Sequence, residues 1–159
     1  MAQDRTHHYK TTLKWVGGQN SPAAFRRHDR SYVISCGTKP VIEGSSDAVF
    51  RGNASRWNPE DLLVASLSAC HHLWYMGLCA AAGIVVLDYR DQAEGEMTEE
   101  AAGGAGQFVH VTLRPHVTLA AGSNRELAMS LHEKAHGNCF IARSVNFPVR
   151  HVPVVDGGA

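Results

Sequence analysis

Asn58-Pro59-Glu60-Asp61-Leu62-Leu63-Val64-Ala65-Ser66-Leu67-Ser68-Ala69-Cys70-His71-His72-Leu73-Trp74, continuing through Tyr75 and Leu78 to Gly83, reads as one long helix. Asn58 suits the N-cap and Pro59 the first helical position. Glu60 and Asp61 fall where the helix dipole favours negative charge. Gly83 is a C-terminal stop. Leu63, Leu67, Cys70, Trp74 and Leu78 follow helical spacing and form one apolar stripe. Ser68, His71, His72 and Tyr75 form a narrow polar stripe elsewhere. Such a helix is apolar on nearly every face. It needs cover from a wrapping sheet or a second chain.

The chain around it has 159 residues and zero formal net charge. That length predicts a single domain, 1–159, with a substantial core. The charge balance gives no sign of a nucleic-acid or acidic-membrane partner. Met1 to Lys10 is polar, which argues against a secretory signal and for a cytoplasmic protein. Leu62 to Leu87 approaches membrane-spanning length, but His71 and His72 at its centre argue against a span.

The flanking segments alternate. His8–Trp15, Ser31–Cys36 and Val41–Glu43 read as strands before the helix, with Gly17–Pro22 as a turn. Ile84–Met97 reads as one long strand, Thr98–Gly106 as a hairpin connection and Phe108–Leu119 as its partner. Pro115 forces a bulge or an edge position there. Ser123-Asn124-Arg125-Glu126 has the form of a capping box. It opens a second helix through Leu127, Leu131 and Ala135 that Gly137 ends. Val145–Val155, interrupted by Pro148 and Pro153, reads as a final edge strand. The sum is an α+β fold with antiparallel pairing.

Four cysteines, Cys36, Cys70, Cys79 and Cys139, stand in a chain with no sign of secretion. They are candidates for buried thiols, ligands or catalytic groups. Cys70 and Cys79 point to opposite sides of the helix, roughly 13 Å apart along its axis, so they cannot pair within a chain. A working pair must bring in Cys36 or Cys139. One constellation is Cys70 with Cys139, Glu60 and an arginine from the loop that enters the helix. A guanidinium favours the reactive thiolate, a carboxylate can hold that guanidinium, and a second cysteine can resolve a sulfenic acid. The plainer alternative makes both cysteines small core residues.

A second constellation is His132-Glu133-Lys134-Ala135-His136, the spacing of two zinc ligands and a general base on one helical face. Gly137 follows at once, and only His151 and Asp156 remain downstream as a third ligand. A solvated helix end accounts for the residues more simply. His71 and His72 point about 100° apart and are poorly placed to share a metal. Either can tune Cys70 or form hydrogen bonds at a buried surface.

Asn58-Pro59-Glu60-Asp61-Leu62-Leu63, then Ser68-Ala69-Cys70, then His136-Gly137-Asn138-Cys139-Phe140-Ile141, resemble the OsmC/Ohr family of osmotically induced and organic hydroperoxide resistance proteins. The resemblance covers nearly the whole chain. It implies antiparallel sheets wrapped around long buried helices in an intertwined homodimer. It implies a thiol-dependent peroxidase in oxidative-stress defence, acting on hydroperoxides without a cofactor or metal. In that reading Cys70 is the peroxidatic cysteine and Cys139 the resolving one. Glu60 positions an activating arginine, with Arg51 first and Arg56 second among the candidates, then Arg26, Arg27 and Arg30. An external dithiol, lipoyl-type among the candidates, reduces the disulfide. A non-catalytic dimer that binds an apolar ligand is the alternative. Gln19 after Gly17-Gly18, and Phe140 where many members have proline, mark a branch distinct from both founding members.

Overall fold

A computed structural model describes residues 5–18, 29–100 and 105–158, and the chain divides into two compact units, Met1–Leu62 and Leu63–Ala159. The long helix, α1, runs Pro59–Ala81. Asn58 Oδ1 accepts a hydrogen bond from the Asp61 N–H at 2.6 Å and caps it. At the other end Ile84 N–H reaches Cys79 C=O at 2.9 Å and Gly83 N–H reaches Ala80 C=O at 3.1 Å. Those bonds are the Schellman pattern, closed by Gly83 at φ +70.

In the first unit, β1 (Thr12–Trp15), β2 (Tyr32–Ser35) and β3 (Ile42–Gly44) form an antiparallel sheet in that order. β1 starts at Thr12, not at His8 as the alternation suggests. The turn expected over 17–22 lies mostly outside the described residues. Beyond β3, Asp47 caps a short 3-10 turn, Ala48–Phe50, by accepting from the Val49 N–H at 2.8 Å. Asn58 Nδ2 donates to the other Asp47 oxygen at 3.2 Å, so one asparagine caps α1 and ties down the entering loop.

In the second unit, the long strand expected over 84–97 is two: β4 (Val86–Asp91) and β5 (Glu94–Glu99). Its partner is also two, β6 (Gly106–Leu113) and β7 (Pro115–Leu119). Both break at one level, because Asp91 pairs with Pro115 and its Oδ1 accepts from the Arg114 N–H at 2.6 Å. Pro115 therefore marks the bend and opens β7. The other Asp91 oxygen accepts from the Ser68 hydroxyl of α1 at 2.6 Å, fixing the bend to the helix.

The last segment also splits, into β8 (Val149–His151) and β9 (Val154–Gly157), each an edge strand. They run parallel to β6 and β7, so the two sheets, β4-β7-β9 and β5-β6-β8, are mixed and not purely antiparallel. The second helix, α2, runs Arg125–Asn138, with Cys139 as its C-cap. Its N-cap is Asn124, whose Oδ1 accepts from the Leu127 N–H at 2.9 Å. Ser123 instead accepts from the Val85 N–H at 3.3 Å, so the expected capping box does not form.

α1 lies across both sheets. Tyr75 and Cys79 join Val117, Leu119 and Val155, with Ala128, Leu131 and Ala135 of α2 completing that core. Leu67 packs on Val111 and Leu113 in a second core. The buried face of α1 is Leu67, His71, Tyr75 and Cys79, which shares only Leu67 with the expected apolar stripe, and Leu73 on the far side is 69% exposed.

A Cβ at Gly83 would meet open space, so only its left-handed backbone resists substitution. Gly83→Ala should cost about 1 kcal/mol, read as a lower urea midpoint with unchanged slope.

Candidate active site

α1 carries Cys70 in its fourth turn, and α2 presents Cys139 at its C-terminal end. The two thiols are free and share a hydrogen bond. Cys139 is buried, whereas Cys70 is partly exposed. The Cys139 thiol is pushed up to about 11, first by burial and then by the bond to Cys70, against the Ala142 and Ile141 backbone amides. The Ala142 N–H donates to Cys139 Sγ at 3.4 Å and fixes the sulfur. Cys139 is thus held as a protonated thiol beside the more accessible Cys70. Trp74, one turn beyond Cys70, meets Phe140 edge to face at 5.6 Å and walls the site with apolar surface. Cys79 is buried on the other face of α1 beside Tyr75, and Cys36 lies in the first unit just past β2.

The arginine arrangement differs from the expectation. Arg56 pairs with Glu43 at 3.8 Å. Glu60 Oε2 is buried and has no hydrogen-bond partner among the described residues. The charge of Glu60 is felt by Tyr32, whose hydroxyl pKa is raised first by burial and then by that carboxylate. Arg51 is exposed at φ +65, closing the 3-10 turn, and its carbonyl accepts from Arg30 Nη1 at 3.5 Å. Neither Arg51 nor Arg56 is bonded to Glu60 in this structure. Arg26 and Arg27 lie outside the described residues.

The histidines that the sequence offers as separate pairs form one interior cluster. His71 Nε2 and His132 Nδ1 share a hydrogen bond at 3.0 Å, both rings fully buried. Tyr75 stacks on His132 at 3.8 Å. His151 of β8 lies 5.7 Å from His71 and 5.1 Å from His136, ring to ring, and its Nε2 is 3.4 Å from Glu133 at the rim. His72 packs against Tyr89 of β4. The cluster does not fit a zinc centre. His132 spends Nδ1 on His71, Glu133 faces His151, and no three His, Cys, Asp or Glu among the described residues are placed as metal ligands. Reading along the sequence misses the cluster because its members come from α1, α2 and β8. The available signal was His71 standing four residues from both Leu67 and Tyr75, on one face.

The fold and the paired thiols define an α+β protein built around two cysteines, one accessible and one enclosed. A family model for OsmC-like proteins matches residues 52–152, more than half of the chain, and the chain belongs to that family. It is similar to an OsmC-like protein of unknown function from Vibrio cholerae, 24% identical, covering 94% of this chain and 100% of that one, with a TM-score of 0.84. It is also similar to an organic hydroperoxide resistance protein from Elizabethkingia anophelis, 20% identical over 97% and 99% of the two chains, TM-score 0.68. Another such protein, from Bacillus subtilis, is 16% identical over 93% and 98%, TM-score 0.61. No curated protein matches the chain.

Burial, and then the neighbouring histidines, lower the pKa of His71 to about 4 and of His132 to about 3. The unfolded chain therefore binds more protons below the ordinary histidine value of about 6.5, so acid favours unfolding. The pair's stability is fully present at pH 7 and is lost progressively as pH falls below about 6.5. Between pH 7 and 5 the expected loss is about 2 kcal/mol for each histidine, measured by urea unfolding. His132→Asn should flatten the profile.

Proposed function

We propose that this protein is a thiol-dependent peroxidase that reduces organic hydroperoxides, with Cys70 as the nucleophile and Cys139 as the resolving thiol. The observation that carries the reading is the hydrogen-bonded Cys70–Cys139 contact, with the accessible sulfur on Cys70. The thiolate of Cys70 attacks the distal peroxide oxygen and the O–O bond breaks. The alkoxide leaves and takes a proton as the alcohol, while Cys70 becomes a sulfenic acid. Cys139 then attacks the Cys70 sulfur. The S–O bond breaks, water leaves and a disulfide forms. An external dithiol returns both thiols, itself becoming a disulfide. Burial of Cys139 protects it from direct oxidation and holds it in reserve for the second step.

The Trp74–Phe140 wall suits an apolar peroxide better than hydrogen peroxide, and several structural relatives bear organic hydroperoxide resistance in their names. A homodimer belongs to the same reading. Ala65, Ala69, Leu73 and Gly77 make an exposed apolar strip on α1, and a second copy would cover it. The activating cation is then to be sought in the assembled dimer, with Arg51 and Arg56 the first to substitute.

The purified protein with a dithiol should consume cumene hydroperoxide faster than hydrogen peroxide. Cys70→Ser should lose at least a hundredfold in rate. Cys139→Ser should stop after one turnover as a sulfenic acid that dimedone traps. Consumption by wild type no faster than with dithiol alone would leave a non-catalytic, ligand-binding dimer as the better reading.

A further inference from the structure

Besides the contact of the thiols themselves, the two helices that carry them are joined by a buried side-chain hydrogen bond, His71 Nε2 to His132 Nδ1 at 3.0 Å. His71 is the residue after Cys70. His132 lies seven residues before Cys139 on α2, roughly 10 Å along its axis. Around this bond the contacts between α1 and α2 are apolar: Tyr75 and Cys79 against Ala128, Leu131 and Ala135. Apolar packing is non-directional and tolerates small slides and rotations of one helix on another. A buried hydrogen bond does not, because its geometry is narrow and its partners have no water to fall back on.

We propose that His71 and His132 are positioning residues that set the approach of Cys70 to Cys139, and that acid releases them. The proposal rests on the reading of those cysteines as a working pair. Neutral rings satisfy the bond with one donor and one acceptor. A doubly protonated pair presents donor to donor and loses it. The surroundings oppose a proton at every side. His72 and Tyr75 face the pair from α1, His136 from α2, His151 from β8, and Tyr89 of β4 lies behind His72 and Tyr75. The carboxylate at the edge, Glu133, is taken up by His151. Tyr75 stacks flat on His132 and holds that ring in the plane the bond needs.

The test measures the dithiol's geometry without peroxide. The protein is equilibrated with oxidised and reduced glutathione. Each Cys70–Cys139 disulfide formed consumes one oxidised glutathione and releases two reduced ones. The constant gives the effective concentration of one thiol at the other. At pH 7, His132→Leu should lower it about tenfold, equal to about 1.4 kcal/mol. His132→Asn, whose amide reaches where Nδ1 sits, should stay within threefold of wild type. The second arm survives a leucine variant that fails to fold. As pH falls to about 3, where the second ring takes its proton, the wild-type value should fall about twofold. His71→Gln/His132→Asn, which keeps the bond and does not titrate, should hold constant. Unchanged effective concentration in His132→Leu, or parallel acid profiles in wild type and the double variant, would overturn the proposal. A failed peroxidase reading shows itself separately, as wild type that consumes no hydroperoxide.

Discussion

The rest of the structure depends on how α1 is covered. Its 23 residues, Pro59–Ala81, are apolar almost all round, so it cannot lie on a single sheet with a wet back. Leu67 goes into one core and Tyr75 and Cys79 into another, and the strands bend at Asp91 and Pro115 to serve both. Each fully buried Leu or Val is worth about 2 kcal/mol, so the paired cores outweigh the cost of breaking two ladders at the bend. Asp91 offsets part of that cost by accepting from the Arg114 N–H and the Ser68 hydroxyl.

That packing places the chemistry. α2 completes the core over Tyr75 and Cys79 and ends at Cys139, where the chain turns and Ala142 N–H meets the sulfur. Cys70 stands on α1 between Leu67 and Trp74, partly open, with the Cys139 thiol against it. The same two helices bury His71 against His132, so the polar and the sulfur contacts share one interface. Burial keeps both rings neutral at neutral pH and raises the Cys139 thiol.

Much of this was legible from residues alone. Asn58, Pro59 and Gly83 punctuate α1 because their backbone preferences are local, and local rules survive folding. Helical spacing left Cys36 and Cys139 as possible partners for Cys70, and the family resemblance singled out Cys139, since nothing local joins positions so far apart in sequence. The split of 84–97 into β4 and β5 was not legible, because alternation continues through the bend and only the Asp91 bonds reveal it. The parallel registry of β8 and β9 was equally hidden, as pairing direction is a matter of where the chain returns. The buried face of α1 was misread for a different reason. Hydrophobic counting sends His71 and Tyr75 outward, but they enter the core because His132 satisfies one ring and stacks on the other. Asn124 displaced Ser123 as the α2 cap because Ser123 is engaged by Val85.

The proposed chemistry rests on Cys70 and Cys139 acting as a pair. Its most direct measurement is peptide mapping, under non-reducing conditions, of protein treated with one equivalent of organic hydroperoxide. One intrachain disulfide should join the Cys70 and Cys139 peptides, with Cys36 and Cys79 recovered as thiols. A main disulfide from Cys70 to Cys36 or Cys79, or a sulfinic acid at Cys70 with Cys139 still reduced, would contradict it.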